Sequence, residues 1–315
     1  ALFIPTGCAL SRRRGRWSGD VIGGLIDDIL NSLGDMREGV SETFFEPTLR
    51  LGVTGLSRAG KTVFITSMVA NLLERGRMSQ LSAQTQGRIE AVVLRPHPDR
   101  GVPRFDYETH RSALAGVNPT WPKSTRAVAQ LRLSIRYKPT GLFSGFGSGS
   151  LLHLDVIDYP GEWLLDLPLL EQEYRQWSRN SLEKARMPQR EPAAARWLDM
   201  LDSLDEDQKY DEALAHDLAA AYTEYLGACR KMGLSGLTPG RFLMPGELDG
   251  SPALTFTPMK QGRTRRGSLR AEFQRRYEAY RRLVIKPFFR DHFARLDRQI
   301  VLVDLLSALD HGPGA

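Results

Sequence analysis

A glycine-rich run between residues 51 and 62 has the residue types that could hold a phosphate chain. It reads Leu-Gly-Val-Thr-Gly-Leu-Ser-Arg-Ala-Gly-Lys-Thr and matches the pattern G-x-x-x-x-G-K-[ST] without a mismatch. Gly55 and Gly60 let the backbone turn so that its N–H groups face phosphate oxygens. Lys61 adds a positive charge near the β- and γ-phosphates, and the Thr62 hydroxyl can ligate Mg²⁺. The predicted phosphate contacts are Gly55, Ser57, Arg58, Ala59, Gly60, Lys61 and Thr62.

The segments on either side of this run have the pattern that a phosphate-binding loop needs. Residues 48–54 are apolar and favour a strand, and residues 61–75 place apolar side chains at helical spacing. A helix that starts at the loop also directs the positive end of its dipole toward a bound phosphate. A chance match in a glycine-rich turn is the alternative, and the order strand, loop, helix argues against it.

A second motif stands about one hundred residues downstream, at the end of another apolar strand pattern. Residues 158–161 read Asp-Tyr-Pro-Gly, which fits the D-x-x-G of switch II in Ras-like GTPases. In those proteins the aspartate holds a Mg²⁺-bound water and the glycine N–H contacts the γ-phosphate. An ordinary turn after a strand is the alternative, because D-x-x-G alone is a weak signal. Its position after a phosphate loop favours the nucleotide interpretation.

The residue after this motif is a glutamate, where Ras-like enzymes place a water-orienting glutamine. A carboxylate at Glu162 could orient water, but it would repel the γ-phosphate unless Arg58 screens it. Arg58 could itself act as an arginine finger. We therefore predict Lys61, Glu162 and Arg58 as catalytic residues. The alternative is that Glu162 pairs with a surface arginine while Arg58 points to solvent.

Two strand patterns between the motifs decide the class of nucleotide-binding fold. Residues 131–137 alternate apolar and polar side chains, and residues 151–157 form a second apolar run, which together predict an antiparallel hairpin. RecA-like and AAA-type ATPases have parallel sheets, whereas Ras-like GTPases contain such a hairpin. The sequence therefore predicts an α/β fold of the P-loop NTPase class, with a Ras-like mixed sheet, one antiparallel hairpin and an inserted helical subdomain.

The loop at residues 118–126 precedes the hairpin, as switch I does in Ras-like proteins. Thr125 or Thr120 could give Mg²⁺ a second hydroxyl ligand, and Thr125 is preferred because it lies nearer the strand. Trp121 either stacks near the ribose or covers the core. Outside the phosphate loop, the predicted nucleotide contacts are Trp121, Ser124, Thr125 and Gly161. The predicted Mg²⁺ ligands are Thr62, Thr125 and Asp158.

The pattern along the chain predicts five regions. They are a disordered extension at 1–20, an N-terminal helix at 21–47, the first part of a P-loop GTPase core at 48–167, a mainly helical insertion at 168–258, and a basic helix with a returning core strand at 259–315.

Composition and charge limit the classes of function that this protein can have. The chain has 315 residues, of which 41% are hydrophobic and 25% charged, which is typical of a soluble globular protein. Two cysteines form no metal-binding pattern, and no apolar run reaches 18 residues, so a cytoplasmic protein without a transmembrane segment is expected. Residues 260–298 contain 13 Lys or Arg against four Asp or Glu. A solvated helix face explains this excess better than a surface for anionic lipid, and there is no strong case for nucleic acid.

Six segments resemble one known family, the YcjX-like P-loop GTPases, which are described as stress-associated proteins. The segments are Glu46-Pro47-Thr48-Leu49-Arg50, Val102-Pro103-Arg104-Phe105, Trp121-Pro122-Lys123-Ser124-Thr125, 152–170, 239–258 and 299–309. The resemblance implies GTP and GDP binding, an inserted helical domain and a link to the envelope-stress response. Slow GTP hydrolysis is expected whichever role Glu162 and Arg58 have, so the predicted function is that of a slowly hydrolysing switch. It also implies a membrane-protein partner, so a location peripheral to the inner membrane is the alternative to a free cytoplasmic one.

One feature of that family is missing from this sequence. Its guanine-reading motif, of the Thr-Lys-Ala-Asp kind, lies beyond the strand that ends at Asp304, and no [NT]-K-x-D occurs in the chain. We therefore expect a C-terminally truncated member. Two alternatives to a GTPase stay open. One is an ATPase, because the phosphate sites do not read the base. The other is a nucleotide-stabilised scaffold that contacts a membrane partner through its basic helix.

Overall fold

The computed structural model describes most of the chain, as two compact units. The described residues are 2–5 (as backbone), 46–56, 59–74, 81–122, 127–139, 150–205 and 207–304. The first unit, the sheet unit, comprises Ala1–Tyr159 with Arg295–Val303. The second, the helical unit, comprises Pro160–Ala294 with Asp304–Ala315 and takes in both the predicted helical insertion and the predicted basic helix.

A mixed six-stranded sheet forms the centre of the sheet unit. Its strands are β1 (Leu2–Pro5), β2 (Thr48–Thr54), β3 (Ile89–Arg95), β4 (Ala129–Tyr137), β5 (Ser150–Asp158) and β6 (Arg298–Val301). Their spatial order is β1-β6-β2-β5-β4-β3. β2 pairs in parallel with β5 and with β6, whereas β4 pairs antiparallel with β5. The sheet is therefore mixed and compatible with a P-loop NTPase.

The predicted hairpin is present, but it is not the only antiparallel pair in the sheet. β3 also pairs antiparallel with β4, and β1 pairs antiparallel with β6. The sequence predicted one antiparallel hairpin, whereas the described strands form three antiparallel pairs. A short apolar run such as β3 does not show by itself which neighbouring strand it pairs with.

Among its described residues, the sheet unit has the helices α1 (Lys61–Leu73), α2 (Ser82–Thr85) and α3 (Tyr107–Ala115). The α1 helix buries one apolar face, with Ile65, Met68 and Val69 in the core. Asp106 caps α3, because its carboxylate accepts a hydrogen bond from the Thr109 N–H at 3.2 Å.

The first 47 residues are described only in part. The sequence predicts disorder at 1–20, and within that range the structure describes the β1 backbone, paired with β6. The rest of the range lies outside the described residues. So does the helix predicted at 21–47, apart from Glu46 and Pro47.

The helical unit is built from helices of very different lengths. They are α4 (Gly161–Leu164), α5 (Tyr174–Ala185), α6 (Glu191–Asp202), α7 (Glu212–Lys231), α8 (Gly240–Leu243), α9 (Leu269–Tyr280) and α10 (Lys286–Asp291). A π-helical turn at Arg281–Ile285 joins α9 to α10, and 3-10 turns occur at Leu167–Glu171, Gly246–Leu248, Pro252–Leu254 and Phe293–Arg295. Among the described residues, no helix has both the length and the apolarity needed to cross a bilayer.

The basic helix of the sequence corresponds to α9, the π-helical turn and α10. Its apolar side chains Phe273, Tyr277 and Tyr280 are fully buried in the core of the helical unit. Its cation Arg276 pairs with acids, at 2.8 Å from Glu212 and 2.9 Å from Glu272. Its cation Arg275, in contrast, is exposed. This part of the chain is therefore a helix that packs by its apolar side, in agreement with the favoured interpretation of its charge.

Candidate functional site

The phosphate-binding loop follows β2 directly and leads into α1. Gly55 and Gly60 both have positive φ angles, 151° and 87°. A side chain at Gly55 would also meet the Leu302 carbonyl oxygen, 2.5 Å from an ideal Cβ. The backbone conformation and the close approach therefore both require glycine at the start of the loop. Ser57 and Arg58 lie outside the described residues.

The side chain of Lys61 lies over this loop. Its Nζ donates a hydrogen bond of 2.5 Å to the Gly55 carbonyl and lies 3.4 Å from the Leu56 carbonyl. Lys61 is the first residue of α1 and is buried. The ammonium group is thus held at the mouth of the loop, where it can face a phosphate.

Two strands deliver the loop and the D-x-x-G motif to the same edge of the sheet. Val53 of β2 stands beside Asp158 of β5 in parallel register, and the Tyr159 N–H donates to the Val53 carbonyl at 3.2 Å. Asp158 is only 2% exposed, and Thr62 is buried on the first turn of α1. The predicted Mg²⁺ residues Thr62 and Asp158 therefore both lie at the carboxyl end of the parallel strands, the edge at which α/β sheets bind ligands.

The loop predicted as switch I is described in part. Thr120 is tied to α3, because its N–H donates to the Ala113 carbonyl at 2.8 Å. Trp121 is 81% exposed, which contradicts the alternative that it covers the core. Ser124 and Thr125 lie outside the described residues, so the choice between Thr120 and Thr125 as a ligand stays a prediction.

A buried acid on β5 connects the hairpin to the loop after β3. The Asp155 carboxylate receives two hydrogen bonds from the Arg132 guanidinium, at 2.6 and 2.7 Å, and lies 3.2 Å from His97 Nε2. The hydrogen bonds to Asp155 raise the pKa of Arg132 above its ordinary value. The alternation of β4 marks Arg132 as polar, but the sequence gives no sign of its partners. The cluster therefore anchors the loop after β3 to Asp155 of β5, which is three positions before Asp158.

The boundary between the two units falls inside the D-x-x-G motif, between Tyr159 and Pro160. Gly161 and Glu162 begin α4 in the helical unit, and both are buried. The Glu162 carboxylate is held by Arg230, with Nη2 3.0 Å from Oε1. The pair with an arginine, which the sequence offered as the alternative for Glu162, is thus present, and the water-orienting role of Glu162 stays a prediction.

An acid further along this segment was not predicted from the sequence. Asp166 is 1% exposed and accepts hydrogen bonds from the Gly240 N–H at 2.7 Å and the Tyr280 hydroxyl at 2.6 Å. Burial raises the pKa of Asp166 to about 6. Nothing in the local sequence separates this residue from a surface aspartate, because its partners are 74 and 114 positions away.

Most of this chain matches known proteins of one family. The model of the YcjX-like family (DUF463) matches residues 49–315. A protein of Escherichia coli K12 named "Ras-like GTPase YcjX" is 43% identical over 280 residues, which cover 85% of this chain and 60% of that protein. A protein of the same name from Shewanella oneidensis MR-1 is 36% identical over 311 residues, 92% of this chain and 64% of that protein. The chain thus spans less than two thirds of the length of these relatives. With its phosphate loop and D-x-x-G strand inside the matched region, the chain belongs to the YcjX-like family.

Proposed function

We propose that this protein binds GTP with Mg²⁺ and hydrolyses it slowly to GDP, acting as a switch. The observation that carries the proposal is the convergence of the Gly55–Thr62 loop and Asp158 at one edge of the sheet, through the register of β2 and β5. The names of the two relatives support the choice of GTP. The family resemblance supports a role in the envelope-stress response with a membrane-protein partner.

The loop fits a phosphate chain in three respects. Gly55 and Gly60 take backbone conformations that turn N–H groups inward, and Lys61 supplies a charge at the mouth of the loop. The α1 helix begins at Lys61, and its N-cap residue, Gly60, makes no side-chain hydrogen bond to the first turn. The N–H groups of that turn can therefore serve an anion.

A Mg²⁺ ion would be held by Thr62 directly and by Asp158 through a water, with Thr125 as the proposed switch I ligand. The ion, when bound, neutralises charge on the β- and γ-phosphate oxygens. Hydroxyl and carboxylate oxygens are the donors that Mg²⁺ prefers, so the residues fit the ion.

Hydrolysis needs a positioned water and stabilised charge. A bond forms between the water oxygen and the γ-phosphorus, the bond to the bridging oxygen of GDP breaks, and the water proton leaves on inorganic phosphate. We propose that Glu162 orients the water, that the Gly161 N–H contacts the γ-phosphate, and that Lys61 and Arg58 stabilise its charge.

Recognition of the base decides between GTP and ATP as the substrate. The chain contains no [NT]-K-x-D sequence, and the phosphate and Mg²⁺ residues do not distinguish guanine from adenine. Large base discrimination arises where a site hydrogen-bonds a base edge. We therefore propose that this chain binds GDP and ADP with similar affinity, so that ATP is the competing substrate.

The test is binding and competition on this chain. Fluorescent GTP with Mg²⁺ is titrated against wild type and Asp158→Ala, and unlabelled GDP and ADP compete for the site. The Asp158 change should weaken GTP more than GDP, by about tenfold, because the residue acts through the metal at the γ-phosphate. ADP should compete within about tenfold of GDP. Equal losses for GTP and GDP would count against a γ-phosphate switch, and a preference for GDP above a hundredfold would show an unidentified base site.

A further inference from the structure

The loop that leads into α9 packs against a buried arginine, Arg270. We define the basic loop as residues 260–267, which read Lys-Gln-Gly-Arg-Thr-Arg-Arg-Gly. We propose that the basic loop and Arg270 form a binding site for a phosphate group, in addition to the proposed nucleotide loop. All of these residues belong to the helical unit, and the inference does not depend on the proposed function.

The guanidinium of Arg270 is the central group of this site. Arg270 is the second residue of α9 and is 8% exposed. Its Nε and Nη1 are buried and have no hydrogen-bond partner among the described residues. Buried polar groups in proteins are ordinarily hydrogen-bonded, and a buried charge without a partner is costly. The side chain therefore has the donors and the charge to bind an anion.

The acids around the start of α9 are bound to other cations. The Glu272 carboxylate accepts hydrogen bonds of 2.9 Å from the Nε atoms of both Arg275 and Arg276. Asp207 lies 2.5 Å from Nη1 of Arg265 in the basic loop. Each of these acids is thus already neutralised, and neither serves as the counter-charge of Arg270.

The basic loop leaves space for the guanidinium at Gly262. An ideal Cβ on Gly262 would lie 2.3 Å from Nη1 of Arg270 and 2.8 Å from its Cζ. Gly262 does not have a positive φ angle, so the close approach of the side chain, and not the backbone conformation, favours glycine here. The guanidinium therefore lies directly against the backbone of the basic loop.

The helix α5 fixes this part of the basic loop. The Gln261 side chain accepts a hydrogen bond from Arg175 Nε at 2.7 Å and donates one to the Arg175 carbonyl at 3.1 Å. The Met259 N–H, just before the loop, donates to the Ser178 hydroxyl at 3.4 Å. The loop is thus attached to α5 next to the point at which it contacts the guanidinium.

The charges of the basic loop indicate the class of ligand. Lys260 and Arg265 are paired with acids, at 2.6 and 2.5 Å, whereas Arg263 and Arg266 are exposed and form no ion pair in the described part of the chain. A guanidinium matches the oxygens of a carboxylate or a phosphate. The further positive charges favour a phosphate monoester, which carries close to two negative charges at pH 7, over a carboxylate.

The test uses the full chain with Lys61→Ala as the parent, so that phosphate binding to the proposed nucleotide loop does not contribute. Inorganic phosphate replaces chloride at constant ionic strength, and the temperature of thermal unfolding is measured. Phosphate should raise this temperature in the parent, because a ligand that binds the folded state stabilises it. Arg270→Met keeps an apolar side chain against Gly262 and should weaken phosphate binding at least about tenfold.

The same variant also tests the burial of the charge. In chloride alone, Arg270→Met should unfold at the temperature of the parent or above it, because the variant removes a buried charge that has no partner. A structural role of the guanidinium would instead lower the unfolding temperature in chloride and leave the response to phosphate unchanged. That result overturns the inference.

Two further variants test the site if Arg270→Met does not fold. Gly262→Ala keeps Arg270, but its Cβ displaces the flexible end of that side chain, and phosphate binding should weaken about tenfold. Arg270→Lys keeps the charge without the planar donor group, so binding should weaken about threefold to tenfold. Arg196→Gln is the matched control, because Arg196 forms an exposed ion pair with Glu224, and it should bind phosphate as the parent does.

The phosphate group could be free or carried by a lipid headgroup, and vesicle co-sedimentation distinguishes these sources. Vesicles with phosphatidic acid, a phosphate monoester, are compared with vesicles that contain the same fraction of phosphatidylglycerol, a diester. Binding to the first kind alone, lost in Arg270→Met, identifies a headgroup, whereas a response to inorganic phosphate without vesicle binding identifies a soluble phosphate compound. A parent that does not respond to phosphate, or that responds as Arg270→Met does, overturns the inference. Nucleotide binding by the wild type is measured separately, so the proposed function is unaffected by that failure.

Discussion

The two units of this protein fill their cores with different kinds of side chain. The core of the sheet unit is mainly aliphatic, with Val53, Ile65 and Leu133 completely buried. The core of the helical unit is aromatic, and Trp177 and Trp197 are among its largest buried side chains. Branched aliphatic side chains suit a pleated surface whose backbone groups are already paired in the sheet. In the helical unit, the buried backbone groups outside regular helices also need hydrogen-bond partners.

Irregular chain packs against the long helices of the helical unit, and its carbonyl groups need donors. Tyrosine hydroxyls supply them from the core. Tyr174 donates to the Thr257 carbonyl at 2.8 Å, Tyr222 to the Thr238 carbonyl at 2.7 Å, and Tyr277 to the Gln172 carbonyl at 2.9 Å. A tyrosine fills volume and satisfies a buried carbonyl with one side chain. The tyrosines of the aromatic core thus also pair carbonyl groups of irregular backbone.

The two units also differ in where their polar side chains lie. In the sheet unit the predicted site residues Lys61, Thr62 and Asp158 lie at or just after strand ends, next to a loop. In the helical unit Asp166 and Tyr280 are buried and hydrogen-bond each other, and Asp166 also accepts from the backbone. The predictions below change one unit at a time, to show how far each unit depends on its own contacts.

The largest effect is expected from Trp177→Ala. Trp177 stacks on Tyr277, with ring centroids 4.9 Å apart, and is 1% exposed. The cavity should lower the free energy of unfolding of the helical unit by about 3–5 kcal/mol. Urea denaturation followed by circular dichroism measures it. Trp121→Ala is the control, and the exposed position of Trp121 should limit its effect to about 0.5 kcal/mol. Equal effects would contradict the assigned core.

Lys61→Ala should abolish nucleotide binding in the sheet unit without a comparable loss of stability. The variant removes the charge at the mouth of the phosphate loop, and we expect GDP affinity to fall by on the order of a hundredfold, about 3 kcal/mol. Calorimetric titration measures the affinity. Lys138→Ala removes an exposed lysine of the same unit, 3.6 Å from Glu90, and should bind GDP as wild type does. Unchanged affinity in Lys61→Ala would refute the phosphate-loop interpretation.

The buried carboxyl of Asp166 predicts a pH dependence of stability in the helical unit. Burial raises its pKa from 3.8 to about 6, so the folded protein takes up this proton before the unfolded chain does. The free energy of unfolding therefore gains a contribution as the pH falls through 6, and loses it as the pH rises. Between pH 7 and 4.5, wild type should gain about 2 kcal/mol relative to Asp166→Asn, whose amide does not titrate.

Glu272→Gln is the control for this titration. Hydrogen bonds from Arg275 and Arg276 lower the pKa of Glu272 to about 2, so its contribution is complete above its ordinary pKa of 4.5 and is lost only as the pH falls toward 2. Its difference from wild type should stay constant between pH 7 and 4.5, in urea denaturation at pH 4.5, 5.5 and 7. A constant difference for Asp166→Asn as well would show that Asp166 keeps an ordinary pKa.

The smallest expected effect on stability comes from a variant that tests the role of tyrosine hydroxyls in the aromatic core. Tyr222→Phe keeps the ring and removes the hydroxyl that serves the Thr238 carbonyl. Leaving a buried acceptor without its donor should lower the free energy of unfolding by about 1–2 kcal/mol. Tyr210→Phe is not a suitable comparison, because that hydroxyl accepts from Arg276. Phe242→Leu is the control, because it removes no polar group and shows the effect of altered packing alone. A decrease in the free energy of unfolding below about 0.5 kcal/mol for Tyr222→Phe would show that the Thr238 carbonyl has another donor.

Local patterns predicted most elements of the sheet unit. The strand expected at 48–54 is β2 with the same bounds, and the helix expected at 61–75 is α1, which ends two residues earlier, at Leu73. The hairpin pairing was predicted from the alternating run at 131–137 and the apolar run at 151–157. These features depend on residues close in sequence, where periodicity and glycine positions carry the information.

The sequence by itself determined the phosphate loop, the D-x-x-G motif and their order, since each is a set of residue types at fixed spacing. Only the tertiary structure decided the partners of Asp155, Glu162 and Asp166, because these side chains meet groups 23 to 114 positions away. A carboxylate carries the same local signal whether it faces water or a buried arginine. Burial and the choice of counter-charge depend on how the helices pack, so the environment of the proposed catalytic glutamate could be obtained only from the fold.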